Sequence, residues 1–292
     1  MKRIIALSLC LALILICFTA CAGKENYTIG IGVAETVDYD NGIIRQAVAG
    51  VVTDENGTVK LVRLDAVEYT VQYDGGEPVV YVPTACRDDE KNTEFKTDAD
   101  YLEKLLEGKS KAEVEALTVA DVNGNQGKYT ADLLRAVLKA LASKHAAGFT
   151  SSSELTMGVS LFANASADNE KGTLKLGASF AAVAAAGGKV MGTVIDESDG
   201  ITVSLSDEGV ILSHSYRGTK LELGDAYGML TNSDYYGSKL AEWYDQAAAY
   251  AKSMYYKPTD RIDTIPDGVI AGCTIGTDNY RAAVIKAARR VR

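Results

Sequence analysis

The sequence predicts an α+β protein made of two similar domains from an internal duplication, each an antiparallel β-meander packed with helices. Three observations lead there. Apolar and polar residues alternate over long stretches interrupted by glycine-containing turns, the pattern of half-buried strands. Further along each half the apolar spacing changes to that of a helix face. This order of strands and then helices occurs twice. With 292 residues, 47% of them hydrophobic, the chain is long enough for two cores. Only four prolines and 24% charged residues speak against long disordered stretches.

The first element is a leader. Lys2 and Arg3 precede an apolar run from Ile4 to Phe18, followed by the small residues Thr19 and Ala20. The run falls short of the roughly 20 residues a spanning helix needs, and the layout is that of an export signal. Phe18-Thr19-Ala20-Cys21 resembles the bacterial lipobox. That resemblance implies removal of residues 1–20 as a lipoprotein signal peptide, acylation of Cys21, and a lipidated tether over 21–26. Two or more acyl chains hold a protein on a membrane firmly, where one does so marginally. The expected location is the extracytoplasmic face of the cell membrane, lipid-anchored.

The duplicated part begins at Tyr27. Tyr27-Thr-Ile-Gly-Ile-Gly-Val opens the first repeat, 27–144, and Leu155-Thr-Met-Gly-Val-Ser-Leu opens the second, 154–292. Each continues into a small-residue strand, a tight turn and another strand, over Ala47–Val80 and Ala178–Ile211. Asn56-Gly57 and Gly187-Gly188 are the turns, a strong local hairpin signal. Asp65 and Asp196 then occupy equivalent places after the second strand.

Both halves turn helical after their strands. Leu102, Leu105 and Leu106 precede Gly108, a plausible helix stop, and Ser110 with Glu113 has the form of a capping box. Leu133, Leu134, Val137, Leu138 and Leu141 line one face of the helix that closes the first half. In the second half Leu240, Trp243, Tyr244, Ala247, Ala251 and Met254 share a face of a helix near 238–256. Thr277 or Asp278 caps a last helix whose stripe is Tyr280, Val284, Ala287 and Val291. The joint between repeats is the small and polar stretch 145–153, HAAGFTSSS.

The formal net charge is −9, and more negative once Lys2 and Arg3 leave with the leader. Such a surface repels phosphate backbones and carries no basic stripe with interleaved aromatics, so nucleic acid is excluded as an expected partner. After processing, Cys86 and Cys273 are the remaining thiols. In an oxidising compartment they form either one disulfide or two separately buried thiols. His145 and His214 lack a neighbouring nucleophile arrangement, so no hydrolase triad and no enzyme is expected. No metal site is expected either. Asp38–Gly42 and Asp196–Gly200 lack the full spacing of a calcium loop and read as Asx-type turns.

The densest aromatic group is Tyr227, Tyr235, Tyr236, Trp243, Tyr244, Tyr250, Tyr255 and Tyr256. Its helical spacing is that of core packing, and tyrosine and tryptophan also stack on flat ligands or form protein-binding faces. If one patch binds a ligand, the composition points to this one.

The Gly-Lys meander, Lys220–Met229, Lys239–Ala251 and the ending Ile270–Ala288 together resemble a group of exported Gram-positive proteins. That group is related to the FMN-binding domain of electron-transfer lipoproteins and redox-driven ion-pump subunits. The resemblance implies tandem degenerate FMN-binding-like repeats, with Thr274 as the flavin acceptor, Gly272 as the motif glycine and Asp267 as the nearby acid. Trp243 and Tyr244 would stack on the ring. The sequence departs from the motif at Ala271 and Cys273, and Asp267 lies one residue too far upstream. The first half has no such motif near Val119–Thr130. The expected function is a membrane-anchored, non-enzymatic electron-transfer or small-ligand module, with FMN as the implied cofactor and a small molecule or redox protein as partner. The alternative is a cell-envelope structural or interaction lipoprotein that has lost its cofactor.

Overall fold

The computed structural model describes residues 23–74, 77–80, 85–122, 127–168, 173–206, 208–232, 241–264 and 270–291. The leader, Cys21 and Asp267 lie outside the described residues. Among the described residues no helix is long and apolar enough to cross a membrane.

The first repeat opens with a meander of β1 (Glu25–Asp38), β2 (Ile43–Asp54) and β3 (Val59–Asp74), with β4 (Glu77–Val80) on the edge of β3. Among the described residues the helices that follow are α1 (Thr93–Leu106), α2 (Lys111–Glu115), α3 (Val119–Val122) and α4 (Thr130–Ala142). The second repeat runs β6 (Leu155–Asp168), β7 (Thr173–Ala186), β8 (Lys189–Glu197), β9 (Ile201–Leu205) and β10 (Ile211–Tyr216). It closes with α5 (Lys220–Leu223), α6 (Trp243–Lys252) and α7 (Asp278–Arg289). The stretch between repeats carries strand β5 (Ala147–Ser151), which pairs with β1 from Glu25↔Ser151 to Ile29↔Ala147. Residues expected as a plain joint therefore complete the first sheet, because their backbone finds an open strand edge to bond.

Both sheets are antiparallel. The first has the order β4-β3-β2-β1-β5; the second runs β10-β9-β7-β6, with β8 on the other half of the β7 edge that β9 uses. The expected turns close the hairpins, with Gly57 at φ 77° and Gly187 and Gly188 at φ 56° and 73°. Within β1, alternation sends Ile29, Ile31 and Val33 toward the second sheet, while Ala34 faces the helices. The second sheet answers with Met157, Val159, Leu161 and Ala182. A Cβ on Gly50 would press into Val159 and Ala182, so the sheets approach closely here.

The outer faces are covered by helices. Phe95 and Leu102 of α1 and Leu133 and Val137 of α4 pack on the first sheet, over Leu64 and Ala66. Trp243 and Tyr250 of α6 and Tyr280, Val284 and Ala287 of α7 pack on the second. The layers are thus helix, sheet, sheet, helix. Buried on both faces, β2 and β7 read as nearly unbroken apolar runs. The halves repeat one plan and share the core between the sheets, while the first repeat also packs a cluster of its own between its sheet and helices.

The repeat extends to single residues. Gly30 and Gly158 hold matching places in β1 and β6, and each admits the backbone of its repeat's last helix. A Cβ at Gly30 would meet the Ala140 carbonyl oxygen of α4, and one at Gly158 the Ala287 carbonyl oxygen of α7. Three residues beyond these carbonyls stand the helix C-caps, Ser143 and Arg290.

Candidate functional site

Asp65 on β3 and Asp196 on β8 are buried, at 0% and 2% exposure, and make the same bonds. Asp65 Oδ1 accepts from the backbone amides of Ala66 at 2.8 Å and Arg87 at 3.0 Å. Asp196 Oδ1 accepts from those of Glu197 at 2.7 Å and Leu221 at 3.1 Å. In each repeat the carboxylate ties a later segment of the chain, at Arg87 or Leu221, back to the strand that carries it. Leu221 is presented by α5, which has a complete capping box between Thr219 and Glu222, so the amide is held in place by local sequence.

The second carboxylate oxygen separates the two. Asp65 Oδ2 meets Arg290 Nη1 at 2.5 Å, and that nitrogen also donates to the Val159 carbonyl at 3.0 Å. The other guanidinium nitrogen reaches Asp88. Among the described residues Asp196 has no cation beside it. Burial raises its pKa from 3.8 to about 7, against the opposing pull of its hydrogen bonds from Thr219, Leu221 and Glu197, and Glu222 adds to the rise.

The space beside Asp196 is a cleft of about 540 Å³. Ile31 and Gly32 of β1, the α4 end from Lys139 to His145, Leu221–Ala226 and Tyr244 form its walls. It lies where the last helix of the first repeat meets α5 of the second, and Lys139 Nζ bonds Glu222 Oε1 across that junction at 2.7 Å. The volume is within the range of small-molecule sites, roughly 300–1,000 Å³. His145 and Tyr244 stack at 4.4 Å between ring centroids, 32° from coplanar. Their far side lines a second cleft of about 380 Å³ with Thr193, Ile195, Ala251 and Tyr255. Tyr244 Oη donates to Asp225 Oδ1 at 2.9 Å, which raises the phenol above its ordinary range. Burial lowers the His145 pKa, against the pull of Asp245 and Asp225, so the ring is neutral at pH 7.

A further polar group lies where the sheets end together. Glu35 Oε1 is 3.3 Å from His214 Nε2, and His214 Nδ1 is 2.7 Å from Tyr39 Oη. Burial pushes the Glu35 pKa up to about 7, with Lys139 opposing. Nothing in the sequence marked Glu35, since a lone glutamate late in a strand reads as an exposed residue.

The residues singled out in the sequence are distributed as follows. Tyr244 lines both clefts. Trp243 is 1% exposed and packs edge-on against Tyr280 at 5.8 Å, so it is core and presents no stacking face. Tyr250 is buried, Tyr255 lines the smaller cleft, and Tyr235 and Tyr236 lie outside the described residues. Cys86 and Cys273 are both free, so the disulfide left open by the sequence is not formed. The reason is position: Cys86 packs under α1 and α4, whereas Cys273 packs against the core on the side of α6 and α7.

Thr274 does not line the larger cleft. Its amide and hydroxyl both donate to Gln246 Oε1, at 2.8 and 2.9 Å. Gly272 has φ 81° and faces Ala249. Helix α7 starts only at Asp278, with Thr277 as N-cap, so the free amides of its first turn come after Thr274. These surroundings do not fit a phosphodiester-linked flavin, because the acceptor hydroxyl is engaged and stands apart from the helix end that would hold the phosphate. Asp38 accepts from the Asn41 amide and side chain, an Asx-type turn as read from the sequence. Among the described residues no three His, Cys, Asp or Glu side chains converge on a metal position.

The sequence matches no protein-family model and no curated relative.

Proposed function

We propose that this chain is a lipid-anchored, non-enzymatic binding protein of the extracytoplasmic membrane face, which holds a small molecule in the cleft between α4 and α5. The cleft carries the reading. It is about 540 Å³, it lies at the junction of the repeats, and it combines an aromatic wall at Tyr244 and His145 with a few fixed polar groups, the composition of ligand sites. The leader and Cys21 supply the anchoring part.

Two measurements test it. Cys21→Ala should move the protein from the membrane fraction to the medium; a parent protein found in the cytosol would overturn the location. The acylated protein, extracted from host membranes and denatured, should release a small molecule that a Tyr244→Ala version releases at roughly a tenth of the yield or less. A parent that releases no compound in excess of the variant would refute ligand binding in this cleft.

One observation favours a second reading, a protein-interaction role. Val210 and Leu212 are 52% and 64% exposed beside and on the edge strand β10, where an added strand or apolar partner could dock. Leu212→Lys would then abolish capture of the partner without disturbing the small-molecule content.

A further inference from the structure

The two aspartate sites descend from one plan and differ at one structural position, the C-cap of the repeat's last helix. In the second repeat that position is Arg290, whose guanidinium lies against Asp65 and bridges it to the Val159 carbonyl. In the first repeat it is Ser143, a short side chain without charge, and Ser143 and Asp196 both line the cleft. We propose that the cleft at Asp196 binds its ligand through a guanidinium or primary ammonium group, placed beside this carboxylate as Arg290 is placed beside Asp65. The inference rests on the small-ligand reading above and adds the ligand's chemical class.

The surroundings agree with a cationic guest. A buried carboxylate without a counter-charge is costly, and a hydrogen-bonded cation relieves that cost. Ile31, which lines the cleft, is the counterpart of Val159 in the repeat, so a backbone strand is placed here as it is beside Arg290. Asp225 adds negative charge at the rim. Lys139 is already matched by Glu222, His145 is neutral, and Lys144 is exposed. Tyr216 faces Asp196 from β10 and contributes no positive charge.

The test uses n-butylguanidinium and its neutral isostere n-butylurea as probes of the mature acylated protein in detergent at pH 8. Isothermal titration should show the guanidinium binding roughly tenfold more tightly than the urea or better, and Asp196→Asn should lose that preference while still melting cooperatively. Ser143→Arg should raise the melting temperature and remove the response to n-butylguanidinium, since the new side chain takes the ligand's place. Equal binding of the two probes, or an Asp196→Asn protein that binds n-butylguanidinium like the parent, would overturn the proposal. A native compound lost from Tyr244→Ala but retained by Asp196→Asn would also overturn the cationic assignment, and would leave the cleft as a ligand site. Absence of any Tyr244-dependent compound would remove both.

Discussion

Replacing Asp196 with asparagine keeps the outline of the side chain and the acceptor oxygen for the Glu197 and Leu221 amides, while removing the ionisable group. In the folded protein this carboxyl has its pKa raised from 3.8 to about 7 by burial; in the unfolded chain it titrates near its ordinary value. Between those two values the native state holds a proton that the unfolded state has released. Stability therefore falls as pH rises from about 4 to about 7 and stays reduced above that. Three pKa steps at about 1.36 kcal/mol each amount to about 4 kcal/mol. The asparagine variant escapes this loss, so its advantage over the parent should grow by about 4 kcal/mol from pH 4 to pH 8. For a chain of this size that is about 8 to 16 °C in melting temperature. Glu35, also raised to about 7, is common to both proteins and cancels in the difference. Urea titrations can be followed by fluorescence of the single tryptophan, Trp243, which is buried at 1% exposure. A parent-minus-variant difference that is flat across pH 4–8 would refute the reasoning.

Three other outcomes follow from the geometry. Arg290→Met leaves Asp65 buried without its cation and should cost about 3–5 kcal/mol in urea unfolding, with Asp65→Asn in the same chain recovering at least half; a loss under about 1 kcal/mol would mean the pair is not closed in solution. Gly158→Ala places a methyl against the Ala287 carbonyl and should cost about 1–3 kcal/mol, and Gly30→Ala against Ala140 should behave alike; a neutral melting temperature at either would show that the helix stands further off. Burial raises the thiol pKa of Cys86, most strongly, and of Cys273, and Cys273 is the more accessible of the two. Peptide mapping after iodoacetamide treatment should find Cys273 modified in native protein and Cys86 modified only after denaturation.

Much of the fold was legible because it is local. The hairpins over Asn56-Gly57 and Gly187-Gly188, the Ser110–Glu113 capping box and the stripes of α4 and α7 depend on residues within a few positions of one another. The correspondence of Asp65 with Asp196 was legible in another way, from the recurrence of the same short pattern in both halves. The aromatic group around α6 divided in a way that its spacing did not predict. Trp243 and Tyr244 are adjacent, and successive helix residues face about 100° apart, so one entered the core and its neighbour the cleft wall. The motif around Thr274 is short and is silent about Gln246, 28 residues earlier.

By itself the sequence determined the class of the fold, the duplication, the helix caps and turns, and the expectation of an exported, acylated chain, since each is encoded in short-range pattern. Tertiary structure decided that the two meanders share one core face to face, that residues 147–151 finish the first sheet, and that Arg290 answers Asp65 from 225 residues away. It also decided that Asp196, its twin in the repeat, is left beside an open cleft. A charge pair across such a separation is fixed only when both sheets and both closing helices are in place, and a repeat pattern read along the chain shows two like aspartates without showing which one has a partner.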